Sequence, residues 1–321
     1  MIGVVYHTFL VNDWRDVIIK QLLRLKESGL YDTCDVIWVT VNLNGNSEED
    51  FNDLVKDYSK IQKEFHINNS AEFPGIKKVR ELCTQHPDLK ILYFHTKGVN
   101  NKFKRHNQKE ISEEKINNIQ SWKECLEYFL IDKWKDCVEK LDEYDNVGVT
   151  CNNGWFWGNF WWSQPKHILK TREVGHWSRW SYEAWMNDYV EGPIRNFEFY
   201  KFIYNPYVTN INEEWYKNPE KFKNSKIILH KAEYGTADFE IDEGYTNSIL
   251  NKTIDVTDIV KVFLEKEDYK RFNIPVNNQS LGGDPVVENR KFLFIWFSLD
   301  VNKDEVYKLG INEGQNLILE F

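Results

Sequence analysis

The sequence predicts an α/β fold with a mostly parallel sheet flanked by helices, followed by a small β-rich module. Over the first 95 residues, apolar runs typical of buried strands alternate with helical patterns. This order indicates parallel strands joined by crossover connections. After about residue 248, short strand-like runs and turn residues replace that pattern. We therefore expect one domain over residues 1–248 and the β-rich module over residues 249–321.

Each element follows from its residue pattern. Ile2–Tyr6 and Val36–Val41 are predicted strands because both are apolar and rich in β-branched residues. Between them, apolar residues at helical spacing begin after Asp13 and stop at Gly29, which indicates a helix. The same two patterns predict helices over 48–64, 75–83, 113–141 and 181–190, and strands over 91–95, 146–151 and 226–230.

The composition excludes several classes of protein. The net charge is −9, whereas a general nucleic-acid binder needs a basic face. No apolar run approaches the roughly 18 residues of a membrane span, and the apolar N-terminus lacks the basic region of a signal peptide. The five cysteines are scattered, without a C-x-x-C pair, which is typical of reduced thiols. We therefore expect a cytoplasmic protein with no nucleic-acid partner and no membrane span.

A polar turn follows the predicted strand 91–95. His95 offers a hydrogen-bond donor or a metal ligand, Lys97 offers a charge for a diphosphate, and Gly98 allows close approach of the main chain. Ligands of open α/β sheets bind at the carboxyl ends of the strands. A solvated lysine in an ordinary turn explains the same residues. The residues predicted to bind a diphosphate, at the ends of the first strand and of the strand over 91–95, are His7, Thr8, His95, Thr96, Lys97 and Gly98.

Aromatic residues are abundant, with 13 Trp, 16 Tyr and 20 Phe, which is more than a core of this size needs. Seven of the tryptophans lie between residues 155 and 185. Indole rings stack on apolar sugar faces, but a bulky core strand accounts for the same pattern, so we expect a mixture of site walls and core. The residues predicted to shape a sugar or acceptor site are Trp157, Gly158, Asn159, Trp161 and Trp162.

Two further side chains are candidates for chemistry. Glu183 lies near the start of a predicted helix among aromatic residues, which could desolvate it for work as a general base. A glutamate in a first helical turn also simply favours the helix dipole. His230 ends a predicted strand, where it could contact a phosphate or a metal, or serve as a hydrogen-bonded structural residue.

Several catalytic signatures are absent from the chain. The chain contains neither of the two glycine loops that bind phosphates, G-x-x-x-x-G-K-S/T and G-x-G-x-x-G. It also lacks H-E-x-x-H, G-x-S-x-G and Asp-x-Asp. The motifs that do occur resemble a group of GT-A-like glycosyltransferases from bacterial surface-polysaccharide loci and large DNA viruses. The resemblance covers most of residues 1–235 and depends on Tyr93–Gly98, Gly158–Trp162, Tyr182–Trp185 and, more weakly, Ser28–Asp32.

This resemblance implies a GT-A fold, a nucleotide-sugar donor, and a glycan or sugar acceptor that receives a hexosyl or deoxyhexosyl group. GT-A enzymes typically hold a divalent metal, Mn²⁺ or Mg²⁺, on the donor diphosphate through Asp-x-Asp. Here Lys97 takes the place of that motif, so metal dependence stays open, with His95 and His230 as possible ligands. Glu183 matches the base of inverting members. His230 resembles the late histidine of some retaining members, so the stereochemical outcome also stays open.

The sequence therefore predicts a cytoplasmic glycosyltransferase, with Glu183 and Lys97 as its catalytic residues. Two other functions are compatible with it. A glycan-binding protein on a decayed transferase scaffold would use the tryptophans without chemistry. A nucleotidyltransferase would need a glycine-rich basic loop after the first strand, and Gly3–Asp13 lacks one.

Overall fold

The computed structural model has a mixed α/β architecture and describes residues 1–68, 70–97, 112–152, 155–175, 179–187, 190, 192–236 and 252–321. The chain forms two compact units. The first unit comprises residues 1–112 and 123–201, and the second comprises residues 113–122 and 202–321.

The first unit is built on a seven-stranded sheet with the strand order β3-β2-β1-β4-β8-β5-β9. β8 runs antiparallel to both of its neighbours, and the remaining pairs are parallel. A separate short pair joins β6 to β7. The strands of this unit are β1 (Ile2–Phe9), β2 (Val36–Asn42), β3 (Ile61–His66), β4 (Lys90–His95), β5 (Asn146–Gly148), β6 (Cys151–Asn152), β7 (Trp155–Phe156), β8 (Trp161–Ser163) and β9 (Asn196–Glu198).

Helices flank this sheet. They are α1 (Trp14–Glu27), α2 (Leu30–Thr33), α3 (Glu48–Leu54), α4 (Phe73–Gln85), α5 (Glu113–Glu127), α6 (Trp134–Lys140), α7 (Pro165–Ile168) and α8 (Arg179–Ala184), with a turn of π-helix over Tyr128–Asp132. The start of α5 belongs to the second unit. The helix predicted between Asp13 and Gly29 is confirmed, and Gly29 ends it with a positive φ of 76° that suits glycine.

The core of the first unit lies on both faces of β4. Ile91, Leu92, Tyr93 and Phe94 are all completely buried, as expected for a central parallel strand with helices on both sides. Trp161 stacks on Tyr93, with 5.1 Å between the ring centroids. The short β8 therefore contributes large aromatic side chains to the core rather than to the surface.

The second unit contains a four-stranded antiparallel sheet in the order β11-β10-β13-β14 and a separate pair, β12-β15. Its strands are β10 (Ile227–Gly235), β11 (Thr253–Asp255), β12 (Arg271–Pro275), β13 (Phe292–Leu299), β14 (Asn302–Asn312) and β15 (Asn316–Glu320). Its helices are α9 (Glu213–Lys217), a 3₁₀ turn over Pro219–Lys221, and α10 (Thr257–Lys266). The predicted domain boundary at residue 248 falls within 237–251, outside the described residues.

Several predicted elements differ in the structure. The helix expected over 181–190 ends at Ala184, and the strand expected over 146–151 ends at Gly148. The helix expected over 48–64 ends at Leu54, and Ile61–His66 instead forms the edge strand β3. The strand expected to end at His230 continues to Gly235, because Ala232 and Tyr234 are buried while Lys231 projects outward. The module expected to be β-rich also contains the ten-residue helix α10.

All five cysteines are free: four are buried, and Cys151 is half-buried. Burial raises the pKa of the Cys34 and Cys83 thiols to about 12, so these thiols stay protonated and unreactive at neutral pH. Within the residues described, no helix is both long and apolar enough to cross a membrane.

Candidate functional site

The strand ends of β1 and β4 lie side by side. His7 of β1 is in register with His95 of β4 on one side and with Thr40 of β2 on the other. His7 is only 5% exposed, and its Nδ1 shares a 2.9 Å hydrogen bond with Thr40 Oγ1. Burial, helped by the neighbouring His95 and His66, lowers the pKa of His7 to about 3. His7 is therefore neutral at physiological pH.

The two threonines of the predicted set bind the protein's own main chain. β1 runs on to Phe9, so His7 and Thr8 lie inside the strand and not after it, contrary to the prediction. Thr8 Oγ1 donates to the carbonyl of Thr40 at 3.4 Å. Thr96 Oγ1 accepts from the Phe9 amide at 3.0 Å, and the Thr96 amide donates to the His7 carbonyl at 3.0 Å. Thr8 and Thr96 thus hold the strand ends together.

His95 connects the two sequence motifs. Its Nε2 donates to the Gly158 carbonyl at 2.9 Å, and its ring makes an edge contact with Phe160 at 5.0 Å between centroids. The Lys97 amide donates to the His95 carbonyl at 2.8 Å, which turns the chain sharply after β4. Lys97 is half-buried. Gly98 and the basic loop that follows lie outside the described residues.

The Gly158–Asn159 pair lies in a tight turn between β7 and β8. The Asn159 amide donates to the Phe156 carbonyl at 3.1 Å, so residues 156–159 form the turn. Gly158, at its third position, has a φ of 84°, which a type II turn requires and glycine adopts at no steric cost. Trp157 therefore lies at the tip of the turn, where it is half-buried.

Glu72 is the site residue that the sequence did not reveal. It immediately precedes α4, and its side chain is only 12% exposed. Its Oε2 accepts hydrogen bonds from Asn159 Nδ2 and, at 3.0 Å, from Tyr93 Oη. Its Oε1 lies 3.8 Å from His95 Nε2. The carboxylate of Glu72 thus lies among residues from both sequence motifs.

A closed set of contacts surrounds this carboxylate. Trp161 Nε1 donates to Asn159 Oδ1 at 2.8 Å, and the Trp161 ring stacks on Tyr93, which in turn donates to Glu72. Burial and the Glu72 charge raise the pKa of the Tyr93 hydroxyl well above its usual range. Tyr93 therefore stays a protonated donor. We call this set the Glu72 ring: Glu72, Tyr93, Asn159 and Trp161.

The tryptophans divide between core and surface. Trp161 and Trp162 are completely buried, and Trp162 Nε1 donates to the Leu130 carbonyl at 2.8 Å. A fully buried indole cannot stack on a bound sugar, so these two predicted sugar-side residues form part of the core. Trp157 has the partial exposure that a stacking surface needs.

The sequence predicted Glu183 near the start of a helix, and this prediction is wrong. α8 ends at Ala184, so Glu183 is its penultimate residue, and neither a helix-start base nor a first-turn dipole partner describes it. Glu183 is half-buried. The carbonyl of its neighbour Tyr182 accepts a 3.4 Å hydrogen bond from Asn159 Nδ2, which brings this part of the chain next to the Glu72 ring.

His230 belongs to the second unit. It lies within β10, at a break in the pairing register with β13, and its Nε2 shares a 2.9 Å hydrogen bond with Ser298 Oγ. In the described part of the chain, no group of three or more His, Cys, Asp or Glu side chains is placed to hold a metal ion. We therefore derive no step through a metal.

Comparisons with known proteins leave the family open. No family model matches the chain, and no curated protein matches it. Any function must therefore be inferred from the site's own residues.

Proposed function

We propose that the protein is a glycosyltransferase of the GT-A-like class, which moves a sugar from a nucleotide-sugar donor to a glycan or sugar acceptor. One observation carries the proposal: His95 Nε2 contacts the Gly158 carbonyl at 2.9 Å. This contact joins the two motifs of the resemblance at the carboxyl end of β4. In open α/β sheets, ligands bind at this end of the strands.

Lys97 is the proposed partner of the donor diphosphate. It lies two residues beyond His95, in the turn that leaves the strand. As the bond between the sugar C1 and the phosphate oxygen breaks, negative charge develops on the leaving nucleotide. A fixed cation at that position stabilises the charge in the transition state. Lys97 would thus supply chemistry that other GT-A enzymes obtain from a metal.

Glu183 is the proposed base. An acceptor hydroxyl forms a bond to C1 while the phosphate oxygen leaves, and the hydroxyl proton passes to the Glu183 carboxylate. The position of Glu183, next to the residue whose carbonyl contacts Asn159, supports a role beside the turn. Trp157, at the tip of that turn, supplies the stacking surface for a sugar ring.

The burial of Trp161 and Trp162 leaves fewer indoles for the glycan-binding surface of the alternative function. The five free cysteines support a reducing compartment such as the cytoplasm.

A thermal-shift panel tests the proposal. UDP-, GDP-, dTDP- and CMP-sugars and free glycans are added singly, each with Mn²⁺ and with EDTA. A ligand at 100 times its Kd stabilises the folded state by about 2.7 kcal/mol. We expect one nucleotide class to raise the melting temperature in EDTA. Stabilisation by free glycans, without a response to any nucleotide sugar, would refute the transferase and favour a lectin.

A further inference from the structure

We propose that Glu72 is a positioning residue of this site. It holds the turn over residues 156–159, and with it Trp157, against the end of β4. The ligand-binding role of that turn depends on the proposed function. The role of Glu72 in fixing the position of the turn does not depend on it, because that role follows from contacts within the first unit.

The Glu72 carboxylate binds side chains outside its own helix. Glu72 occupies the position before α4, where Ser, Thr, Asp or Asn is preferred because these short side chains accept from the free amides of the first turn. It makes no such capping bond. Its oxygens instead point to Tyr93 and Asn159. A residue that breaks a local preference in this way indicates a functional constraint elsewhere.

Asn159, which the Glu72 carboxylate binds, has partners for both ends of its side-chain amide. Its Nδ2 donates to Glu72 and to the Tyr182 carbonyl, and its Oδ1 accepts from Trp161. Asn159 is 1% exposed and has a φ of 53°, a conformation that few side chains adopt readily. A buried amide that loses its charged acceptor leaves a donor unpaired, which is costly. The turn is thus fixed in place by the Glu72 carboxylate.

His95 holds the residue before Asn159 in the same turn, through the Gly158 carbonyl, and its Nε2 lies 3.8 Å from Glu72 Oε1. Consecutive residues of one turn are therefore held by neighbouring side chains from β4 and the start of α4. Removal of the Glu72 charge would affect both attachments.

The test uses 5-fluorotryptophan and ¹⁹F NMR on the full chain. The Trp157 signal is identified as the one missing from Trp157→Phe. In Glu72→Gln we expect this signal to shift or broaden, because the charge-assisted hydrogen bond that holds the turn is replaced by a weaker one to a neutral carbonyl. Asp145→Asn is the matched control: Asp145 has a comparable exposure of 17% and accepts from the Arg195 amide, but it precedes β5 at the opposite end of the sheet. This control should leave the Trp157 signal unchanged.

An unchanged Trp157 signal in Glu72→Gln, or an equal change of that signal in Asp145→Asn, would each overturn the proposal. If Glu72→Gln does not fold, Tyr93→Phe removes one donor to Glu72 and should give a smaller change in the same signal.

Activity gives a second readout. With a donor identified by the thermal-shift panel, Glu72→Gln should lower kcat/KM by about tenfold to a hundredfold, as expected when reacting groups are misplaced. The melting-temperature shift produced by the donor should be retained. If the wild type responds to no nucleotide sugar, the proposed function fails, while the ¹⁹F result still decides the role of Glu72.

Discussion

Gly75→Ala is a direct probe of how closely α4 packs against the strands that carry the site. Gly75 lies in the first turn of α4, and an added Cβ would come within 2.9 Å of both His7 Cβ and Tyr93 Cε2, and within 3.2 Å of Tyr93 Oη. Neither neighbour can move freely, because His7 is 5% exposed and Tyr93 is completely buried.

Two effects of Gly75→Ala oppose each other. Alanine is favoured over glycine within a helix by roughly 0.8–1.0 kcal/mol. Overpacking of a rigid core costs about 1–3 kcal/mol. Because both contacts at 2.9 Å involve buried atoms, we expect the clash to cost about 2–3 kcal/mol, the upper part of that range. After subtraction of the gain in helix propensity, the variant should lose about 1–2 kcal/mol. The displaced Tyr93 hydroxyl should also disturb the Glu72 ring.

Thermal unfolding followed by tryptophan fluorescence measures this effect. For a domain of this size, each kcal/mol lowers the melting temperature by about 2–4 °C. Lys77→Ala on the exposed side of the same helix is the control. The Lys77 side chain is 56% exposed and pairs with Glu81 at 3.7 Å, so this variant should change stability by no more than about 0.5 kcal/mol. A Gly75→Ala variant as stable as the wild type, or more stable, would refute the close packing inferred for this end of the sheet.

Three further predictions concern the site. Glu183→Gln should lower kcat by at least about a hundredfold, the low end for loss of a general base, while the thermal shift given by the donor is kept; near-normal turnover would exclude Glu183 as the base. Lys97→Met should weaken both the donor-induced thermal shift and the rate, and an unchanged kcat/KM would remove it from the diphosphate site. His7, with a folded pKa of about 3 against an ordinary value of 6.5, binds its proton more weakly in the folded state, so stability is lost as pH falls from 6.5 toward 3. At pH 5 the loss of stability is about 2 kcal/mol. The free energy of urea unfolding should therefore depend less on pH in His7→Gln than in the wild type. An equal pH dependence would contradict the lowered pKa of His7.

The strands of the central sheet could be predicted because burial leaves a clear pattern. Val36–Val41 and the apolar part of β4 are buried on both faces of the sheet, so nearly every residue in them is apolar. β3 gave no such signal. It is an edge strand with one neighbour, and its Gln62 and Lys63 are exposed, so its composition favoured a helix. Only pairing with β2 makes this segment a strand.

The site could be predicted in part. The polar turn after β4 and the Gly158–Asn159 pair were both found from their residue types, and the structure joins them through His95. Glu72 gave no local signal, because it lies in a short stretch before α4 that resembles an ordinary helix start. Its importance comes from Asn159, which is 87 residues away along the chain. Contacts of this range depend on the tertiary fold and not on local pattern.

Release of the nucleotide from its sugar donor is the most direct test of the proposal that the first unit transfers a sugar. The donor that stabilises the protein is incubated with a mixture of glycan acceptors, and the free nucleotide is quantified by chromatography. We predict acceptor-dependent release by the wild type in the presence of EDTA, and strongly reduced release by Glu183→Gln and Lys97→Met. Release at the same rate from the wild type and both variants, or no release with any donor by a protein that binds free glycans, would contradict the account.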